Sequence, residues 1–176
     1  MKLELQLLDL IQTIHTPAGD RIMCVITRLG DAGIIWIVLT VVLILIPKTR
    51  KSGILLAGAL CVDVLLCNVL LKHLVGRIRP CDVNQAVELL IARPHDFSFP
   101  SGHTAASFAS VTALYLAGEK KLWIPALVLA VLIAFSRMYL YVHYPTDILG
   151  GILCGVASGF IAQWLVQKAM KKRRQD

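Results

Sequence analysis

The stretch F-S-F-P-S-G-H-T-A-A, residues 97–106, turns an extended polar segment into the start of a hydrophobic helix. Pro100 suits a position at or just before a first turn, Ser101 is a favoured helix cap, and Gly102 lets another group approach the backbone closely. His103 then lies in the first turn. Because a helix N-terminus presents unpaired N–H groups and a positive dipole, this turn is predicted to bind an anion.

The composition around this stretch is typical of an integral membrane protein. The chain has 176 residues, of which 57% are hydrophobic, and its mean hydropathy of +0.71 is too high for a soluble domain. The sequence therefore predicts an all-α fold, a polytopic transmembrane helix bundle. A formal net charge of +7 would suggest nucleic acid in a soluble protein. Here the basic residues cluster at predicted helix ends, so no nucleic-acid partner is expected.

Five apolar runs approach the length of about 20 residues that spans a bilayer, and they predict five membrane helices. The runs are Ala32–Ile46, Gly53–Leu71, Ser101–Ala117, Leu122–Tyr139 and Asp147–Val166. The last run contains several glycines, which predict close packing against a neighbouring helix.

Residues 1–32 are predicted to form a separate N-terminal segment, and residues 33–176 the transmembrane domain. Within the segment, Leu3–Ile14 places apolar side chains on one helical face. Its charge and short length favour an amphipathic helix that lies in the membrane interface. A sixth membrane helix formed by the same segment is the alternative.

Basic residues in short loops predict which ends of the helices face the cytoplasm. They occur in residues 47–52, in residues 118–121, and in the C-terminal group Lys168, Lys171, Lys172, Arg173 and Arg174. All three places agree with five alternating spans and a cytoplasmic C-terminus. The same alternation puts residues 73–100 and 139–147 together on the extracytoplasmic face of a cell membrane.

Three groups of polar residues from distant parts of the chain meet at this outer face. They are Lys72 with Arg79, then Ser101, Gly102 and His103, and finally Ser136, Arg137, His143 and Asp147. Arginine offers a planar fork that matches phosphate, and lysine adds a point charge. If Lys72 is considered by itself, the alternative is that its side chain only extends to lipid headgroups at the membrane surface. Together, the cations and the helix N-terminus predict a cradle for a phosphoryl group.

The two histidines of this set indicate the chemistry. Asp147 follows His143 by four residues, so its carboxylate can hold one imidazole nitrogen and leave the other as an oriented nucleophile. An acidic residue that only satisfies a helix dipole is the alternative for Asp147. His103 comes from a different helix and can protonate a leaving oxygen as a general acid. A purely structural role is the alternative for His103.

The pattern K-x6-R-P from Lys72, P-S-G-H from Pro100, and S-R-x5-H-x3-D from Ser136 to Asp147 resembles the three-part signature of the type 2 phosphatidic-acid phosphatase superfamily. The signature specifies about ten residues, and this chain contains all of them in the same order. The resemblance covers Lys72 to Asp147, whereas the first 50 residues carry none of it.

The resemblance implies a metal-independent phosphohydrolase that needs no cofactor and works in two steps. By this analogy His143 attacks phosphorus to give a phosphohistidine, Asp147 orients it, and His103 protonates the departing group and then activates water. The phosphoryl oxygens would be held by Lys72, Arg79, Ser101, the Gly102 N–H and Arg137. The family also contains soluble vanadate-dependent haloperoxidases, and the apolar runs of this chain argue against that branch.

A site between helix ends at the membrane surface suits a lipid headgroup whose chain stays in the bilayer. The small size and the outward site resemble the bacterial branch that converts undecaprenyl diphosphate to undecaprenyl phosphate in the plasma membrane. Phosphatidylglycerophosphate, phosphatidate and diacylglycerol diphosphate are the competing substrates. A lipid or ion transporter is the alternative from another class, because Asp63 lies inside a span and the fifth span is glycine-rich. A non-catalytic assembly protein is a third alternative.

Several polar residues lie outside the signature. Asp63 is predicted to form an interhelical hydrogen bond, since it lies about 13 Å of helix before Lys72. For Arg77 the sequence supports two predictions equally. The side chain contacts a lipid headgroup or a second phosphate, or it is solvated. Residues 86–91 are predicted to form a short helix, with a lid as the alternative. Surface or interfacial roles are predicted for His15, His73 and His95.

Overall fold

A computed structural model describes residues 2–172 of the chain. Arg173 and Arg174 of the predicted basic C-terminus lie outside the described residues. All regular secondary structure within residues 2–172 is helical, and this part of the chain contains no strand. The helices are α1 (Lys2–Gln12), α2 (Pro17–Leu29), α3 (Ile34–Leu45), α4 (Arg50–Asp63), α5 (Lys72–Val75), α6 (Pro80–Val83), α7 (Gly102–Leu116), α8 (Lys120–Tyr139) and α9 (Pro145–Lys172). The all-α prediction is confirmed.

Three stretches of the described chain are long and apolar enough to cross a membrane. They are Arg50–Val83, Lys120–Tyr139 and Pro145–Lys172. A fourth results if α2 and the stretch Asp31–Leu45, which meet at a 45° bend, count as one span. Helix α7 has 15 residues and is therefore about 22 Å long, short of a hydrocarbon core of about 30 Å. The chain is a membrane protein, and the count of five or six spans stays a prediction.

The first long stretch is not a regular α-helix along its whole length. Helix α4 continues through a π-helical stretch, Val64–Leu71, into the short helix α5. This segment ends at Gly76, whose positive φ of 58° reverses the chain. Lys72 therefore lies at the beginning of α5, directly after the π-helical stretch.

Helix α7 lies at the centre of the bundle and packs against α9, α8 and α4. Glycines of α9 make its approach to α7 possible. A Cβ atom at Gly155 would lie 2.3 Å from the Ala105 carbonyl oxygen, and one at Gly151 would lie 2.8 Å from the Ser101 carbonyl oxygen. The predicted close packing of the glycine-rich helix is confirmed, and it fixes the start of α7 beside the start of α9.

The N-terminal helices pack on the end of α8. The Tyr139 hydroxyl donates to Asp20 at 2.7 Å, and the Tyr141 hydroxyl donates to Asp9 at 2.7 Å. His15 is half-buried, stacks on the Tyr139 ring at 3.9 Å between centroids, and lies 3.1 Å from the Asp20 carboxylate. His15 is thus not a freely exposed side chain, because α2 folds back against α8, and the interfacial alternative of its prediction stays a prediction. His73 and His95 are exposed, as predicted.

Residues 84–101 connect α6 to α7 without regular structure. The short helix predicted over residues 86–91 is wrong. Three apolar side chains spaced by two residues, Val87, Leu89 and Ile91, pack against the cluster around Tyr141. A spacing of two places side chains on one side of an extended chain, not of a helix. Burial of these alternate residues outweighs the local preference for a helix.

Candidate active site

A cavity of about 330 Å³ opens where α5, the start of α7 and the connection between α8 and α9 meet. Six of the eight predicted site residues line it: Lys72, Arg79, Gly102, His103, Arg137 and His143. The three sequence groups therefore converge on one space. The other two predicted residues, Ser101 and Asp147, are fully buried behind its wall.

Arg79 is fixed by its backbone neighbours. It has extended backbone geometry immediately before Pro80, as the proline favours, and its side chain is only 2% exposed. Its guanidinium donates to the carbonyl oxygens of Asp96 at 2.9 Å and of Val142 at 2.7 Å. These contacts tie the first sequence group to the connection between α8 and α9.

Ser101 is the N-cap residue of α7, as predicted, but it caps through its backbone. Its carbonyl oxygen accepts from the Ala105 N–H at 2.9 Å, whereas its side chain forms no capping hydrogen bond and its hydroxyl accepts from the Thr104 hydroxyl at 3.0 Å. The Ser101 N–H donates to the carbonyl oxygen of Asp147 at 3.1 Å. Ser101 therefore also links the starts of α7 and α9. Gly102, the first residue of α7, remains in the cavity wall.

His143 is held between a carboxylate and a cation. Its Nδ1 lies 3.4 Å from Asp147 Oδ2, and its Nε2 lies 3.1 Å from Arg79 Nη1. A guanidinium can only donate, so Nε2 must accept and the ring proton is assigned to Nδ1. In the tautomer inferred from this network, the Nε2 lone pair accepts the hydrogen bond from Arg79 at the wall of the cavity. Nε2 can act as a nucleophile once this donor turns to another acceptor, such as an anion in the cavity.

Burial and two neighbouring cations keep His143 uncharged. The imidazole is 1% exposed, and burial together with the charges of Arg79 and Arg137 lowers its pKa to about 3. The neutral ring therefore predominates at neutral pH, and its Nε2 lone pair does not have to be freed by deprotonation.

Asp147 receives hydrogen bonds from several sides. Oδ2 accepts from the Ser98 hydroxyl at 2.5 Å and from the Tyr144 N–H at 2.9 Å, while Oδ1 accepts from Arg77 at 2.6 Å. Sequence reasoning missed Ser98, although it lies only three residues before Ser101. The carboxylate lies at the start of α9 and also contacts His143, so Asp147 does more than satisfy the helix dipole.

Arg77 forms ion pairs inside the protein. Besides Asp147, it contacts Glu4 of α1 at 2.8 Å, and its guanidinium stacks 3.9 Å above the Tyr144 ring. Neither alternative from the sequence, a headgroup contact or a solvated side chain, describes these contacts. No spacing in the sequence pointed to Glu4, because 73 residues separate it from Arg77.

Asp96 forms ion pairs with two of the cations that line the cavity. Its carboxylate pairs with Lys72 through Oδ2 and with Arg79 through Oδ1, at 2.6 Å for the latter. Burial raises the pKa of Asp96, but the hydrogen bond from Lys72 and the charge of Arg79 outweigh it and hold the pKa well below its usual range. Asp96 is the only carboxylate between residues 89 and 118, which is the signal that could have identified it.

Arg137 retains donor capacity that the described residues do not use. Its Nη1 donates to the Thr27 hydroxyl at 2.6 Å, whereas its buried Nε has no hydrogen-bond partner within residues 2–172. A buried guanidinium nitrogen without a partner is costly, and an anion in the cavity would satisfy it.

His103 pairs with a carboxylate that the sequence did not indicate. Its Nε2 lies 2.8 Å from Oδ1 of Asp31, in the turn between α2 and α3. Asp31 belongs to the N-terminal segment, which contains none of the signature residues. Its position could not be derived from spacing.

Asp63 lies deeper, at the end of α4, and also lines the cavity. Its Oδ1 has no hydrogen-bond partner within the described part of the chain, so the predicted interhelical hydrogen bond is not made by this atom. Asp63, Cys67 and Cys154 are buried, with ligand atoms within 4.8 Å of one another, a spacing that could hold a metal ion. This cluster contains none of the residues of the phosphoryl cradle.

A helical membrane protein whose buried cations and two imidazoles surround one anion-sized cavity has the architecture of a phosphoryl-binding site. The chain belongs to the PAP2 superfamily, whose sequence profile matches residues 52–171.

Relatives agree with this assignment. An undecaprenyl-diphosphatase of Sulfolobus acidocaldarius is 34% identical over 73% of this chain, and the chain spans 62% of that relative's length. Undecaprenyl-diphosphatase BcrC of Bacillus subtilis is 32% identical over 84% of this chain and 75% of its own length. The crystal structure of a PAP2-type phosphatidylglycerolphosphate phosphatase from Bacillus subtilis superposes with a TM-score of 0.77, at 29% identity, over 95% of this chain and 86% of that one.

Proposed function

We propose that this chain hydrolyses a lipid phosphate or diphosphate without a metal, through a phosphohistidine at His143. The observation that carries the proposal is the placement of His143 Nε2, which accepts from Arg79 while Nδ1 faces Asp147. A neutral imidazole with a fixed tautomer beside an anion-binding cavity is equipped for in-line attack on phosphorus.

In the first step, Arg79 shifts its hydrogen bond from Nε2 of His143 to a phosphoryl oxygen, and the freed Nε2 lone pair forms the N–P bond. The P–O bond to the leaving group breaks at the same time, which is the ester bond of a monophosphate or the anhydride bond of a diphosphate. The departing electron pair goes to the leaving oxygen, which takes a proton from the His103 imidazolium. Asp147 stabilises the positive charge on the phosphorylated ring. Lys72, Arg79, the Gly102 N–H and Arg137 hold the phosphoryl oxygens, and Ser101 supports the wall from behind.

In the second step, water forms the new O–P bond and the N–P bond breaks. The electron pair returns to Nε2 of His143, and the proton from water goes to His103, which becomes an imidazolium again. Phosphate leaves, and both histidines regain their starting states. Each step uses only side chains and backbone of this chain.

The shape of the cavity supports an amphiphilic substrate. Its lining combines the cations of the cradle with apolar residues such as Ile37, Leu60 and Val64. Such a lining suits a charged headgroup together with the start of a lipid chain. We propose undecaprenyl diphosphate as the substrate and undecaprenyl phosphate as the product, because two relatives carry that name. Phosphatidylglycerophosphate, phosphatidate and diacylglycerol diphosphate are the competing substrates.

The test is phosphate release from a panel of these purified lipids by detergent-solubilised protein, with EDTA present. We expect release by the unsubstituted chain and by His95→Ala, an exposed control, and none by folded His143→Ala. Loss of activity in EDTA would overturn the metal-free mechanism. Phosphate release that survives His143→Ala would overturn the phosphohistidine. The transporter alternative predicts instead that function survives His143→Ala although the unsubstituted chain releases no phosphate from any lipid of the panel.

The site is proposed to face the extracytoplasmic side of a bacterial plasma membrane. Cysteine introduced at exposed His95 should react with an impermeant maleimide in intact cells, while the unsubstituted chain provides the background. Labelling that requires cell lysis would reverse the assigned orientation.

A further inference from the structure

Asp31 and His103 form a close contact at the wall of the cavity. Oδ1 of Asp31 lies 2.8 Å from Nε2 of His103, and the His103 side chain is 19% exposed. The two residues are separated by 72 positions in the sequence, so the contact depends on how α2 and α3 are joined. Asp31 lies outside residues 52–171, the part of the chain that matches the family.

The backbone of the turn around Asp31 packs closely against the His103 ring. A Cβ atom at Gly30 would lie 2.8 Å from Cδ2 of His103, so a side chain there would collide with the ring. Ala32 has a positive φ of 49°, a conformation that is uncommon for a residue with a side chain, and Gly33 follows at 69°. Gly30, Ala32 and Gly33 all line the cavity. The backbone of this turn is therefore part of the site.

The electrostatic surroundings explain why a carboxylate is needed at this position. Arg137 and Lys72 both contribute positive charge at His103. These cations suit a phosphoryl anion, but they also disfavour an imidazolium in the same cavity. A carboxylate at hydrogen-bond distance favours the charged ring. His143 has its own carboxylate in Asp147, so each histidine of the site is paired with one acidic side chain.

We infer that Asp31 is the positioning residue of His103, holding its ring and stabilising the imidazolium that gives a proton to the leaving oxygen. This inference rests on the proposed function. As the P–O bond breaks, the proton passes from His103 to the leaving oxygen, and Asp31 stays a carboxylate throughout. With Nε2 held by Asp31, Nδ1 is the nitrogen that donates.

Leaving-group dependence separates this role from a structural one. An alkyl phosphate, such as phosphatidate, needs a proton on its leaving oxygen, whereas the phenolate of para-nitrophenyl phosphate leaves without one. Asp31→Asn should lower kcat/KM for phosphatidate by about 10- to 100-fold, which is part of the rate enhancement that a general acid contributes. The same variant should leave kcat/KM for para-nitrophenyl phosphate nearly unchanged. Asp31→Glu should recover most of the loss. Asp20→Asn, in the same segment but bonded to Tyr139, should leave the ratio of the two values unchanged.

Equal losses on both substrates would overturn the inference, and so would unchanged or faster hydrolysis of phosphatidate by Asp31→Asn. The parallel variant His103→Ala separates the two proposals. If it loses phosphatidate hydrolysis selectively and Asp31→Asn does not, only the role of Asp31 fails. If His103→Ala shows no selectivity, the general acid of the proposed function fails.

A spectroscopic measurement tests the contact independently of activity. In protein labelled with ¹⁵N-histidine, Asp31→Asn should shift the Nε2 resonance of His103 and leave that of His143 in place. An unchanged His103 resonance would overturn the inference, even if no substrate were turned over.

Discussion

At the scale of single residues, the cradle contains an anion of its own. The Asp96 carboxylate pairs with Lys72 and Arg79, two of the cations that would hold a phosphoryl group. A substrate phosphate must therefore compete with Asp96 for the same donors. Because the Asp96 side chain is 53% exposed, it can leave the cations by swinging into solvent.

We expect Asp96→Asn to strengthen inhibition by inorganic phosphate about two- to fivefold, the size of a partly solvated ionic contact. The measurement is the competitive inhibition constant in the phosphate-release assay. Asp82→Asn is the matched control, because Asp82 pairs with Arg93 and does not line the cavity. Weaker inhibition in Asp96→Asn would mean that Asp96 organises the cations instead of competing for them.

His143 predicts a pH dependence of stability. Its pKa is about 3 in the folded protein, whereas an unfolded histidine titrates near 6.5. Between these values the unfolded chain binds more protons, so stability falls as the pH is lowered from about 6.5 towards 3. At pH 4.5 the loss is on the order of 2 kcal/mol.

The measurement is the Tm in detergent between pH 7 and pH 4.5. The unsubstituted protein should lose more Tm across this range than His143→Gln, which cannot titrate there. His95→Gln removes an exposed histidine and should behave like the unsubstituted protein. Parallel curves for all three proteins would contradict the low pKa of His143.

At the scale of helices, the contact between α7 and α9 sets the geometry of the site. Helix α7 begins at Gly102 beside the start of α9, and Gly155 lets the two backbones touch further along. A displacement of α7 would carry Gly102 and His103 away from His143. Packing in the centre of the bundle is thus coupled to the geometry of the candidate active site at its end.

Gly155→Ala should destabilise the protein by about 1–3 kcal/mol, because the added methyl group would lie 2.3 Å from the Ala105 oxygen. The measurement is the Tm together with phosphate release, and both should fall. Gly58→Ala is the control, since its new atom would lie 3.6 Å from the Ala162 Cβ, an ordinary contact. Equal behaviour of the two variants would show that α7 and α9 adjust at little cost.

At the scale of the whole molecule, the N-terminal segment contacts the proposed catalytic groups by two routes. Asp31 contacts His103 directly, and Glu4 contacts Arg77, which in turn contacts Asp147. The sequence had suggested a boundary near residue 32. In space, residues on both sides of that boundary surround the same site.

Arg77→Gln should lower kcat about tenfold with little change in KM, because buried Asp147 Oδ1 loses a charged donor. Arg77→Lys should restore part of kcat, since it keeps the charge but not the fork. Steady-state kinetics on the best lipid of the panel provide both constants. A raised KM with unchanged kcat would instead place Arg77 in contact with the substrate.

The sequence predicted the convergence of distant residues better than their individual partners. Lys72, Arg79 and His143 were expected together because each lies at a helix end at one membrane level, and they share the cavity. The pairings of Asp31 and Asp96 were missed because they depend on turns whose paths are set by tertiary packing. The helix predicted over residues 86–91 failed for the same reason, since its side chains are buried at a spacing of two.

Lys72 follows the π-helical stretch Val64–Leu71 directly. The direction in which its side chain points therefore depends on the number of residues in the preceding helix as well as on their identity. A π turn closes over one residue more than an α turn. Deleting one exposed residue there, such as Leu65, would let the stretch close as an α-helix and would leave Lys72 on the same side of the axis, whereas inserting one residue into regular α4 would turn Lys72 by about 100°. Phosphate release should then be lost in the insertion variant, which keeps every signature residue, and full activity of that variant would show that the direction of Lys72 is not needed. Insertions in this helix, which no comparison of signature residues would detect, can therefore separate active from inactive relatives.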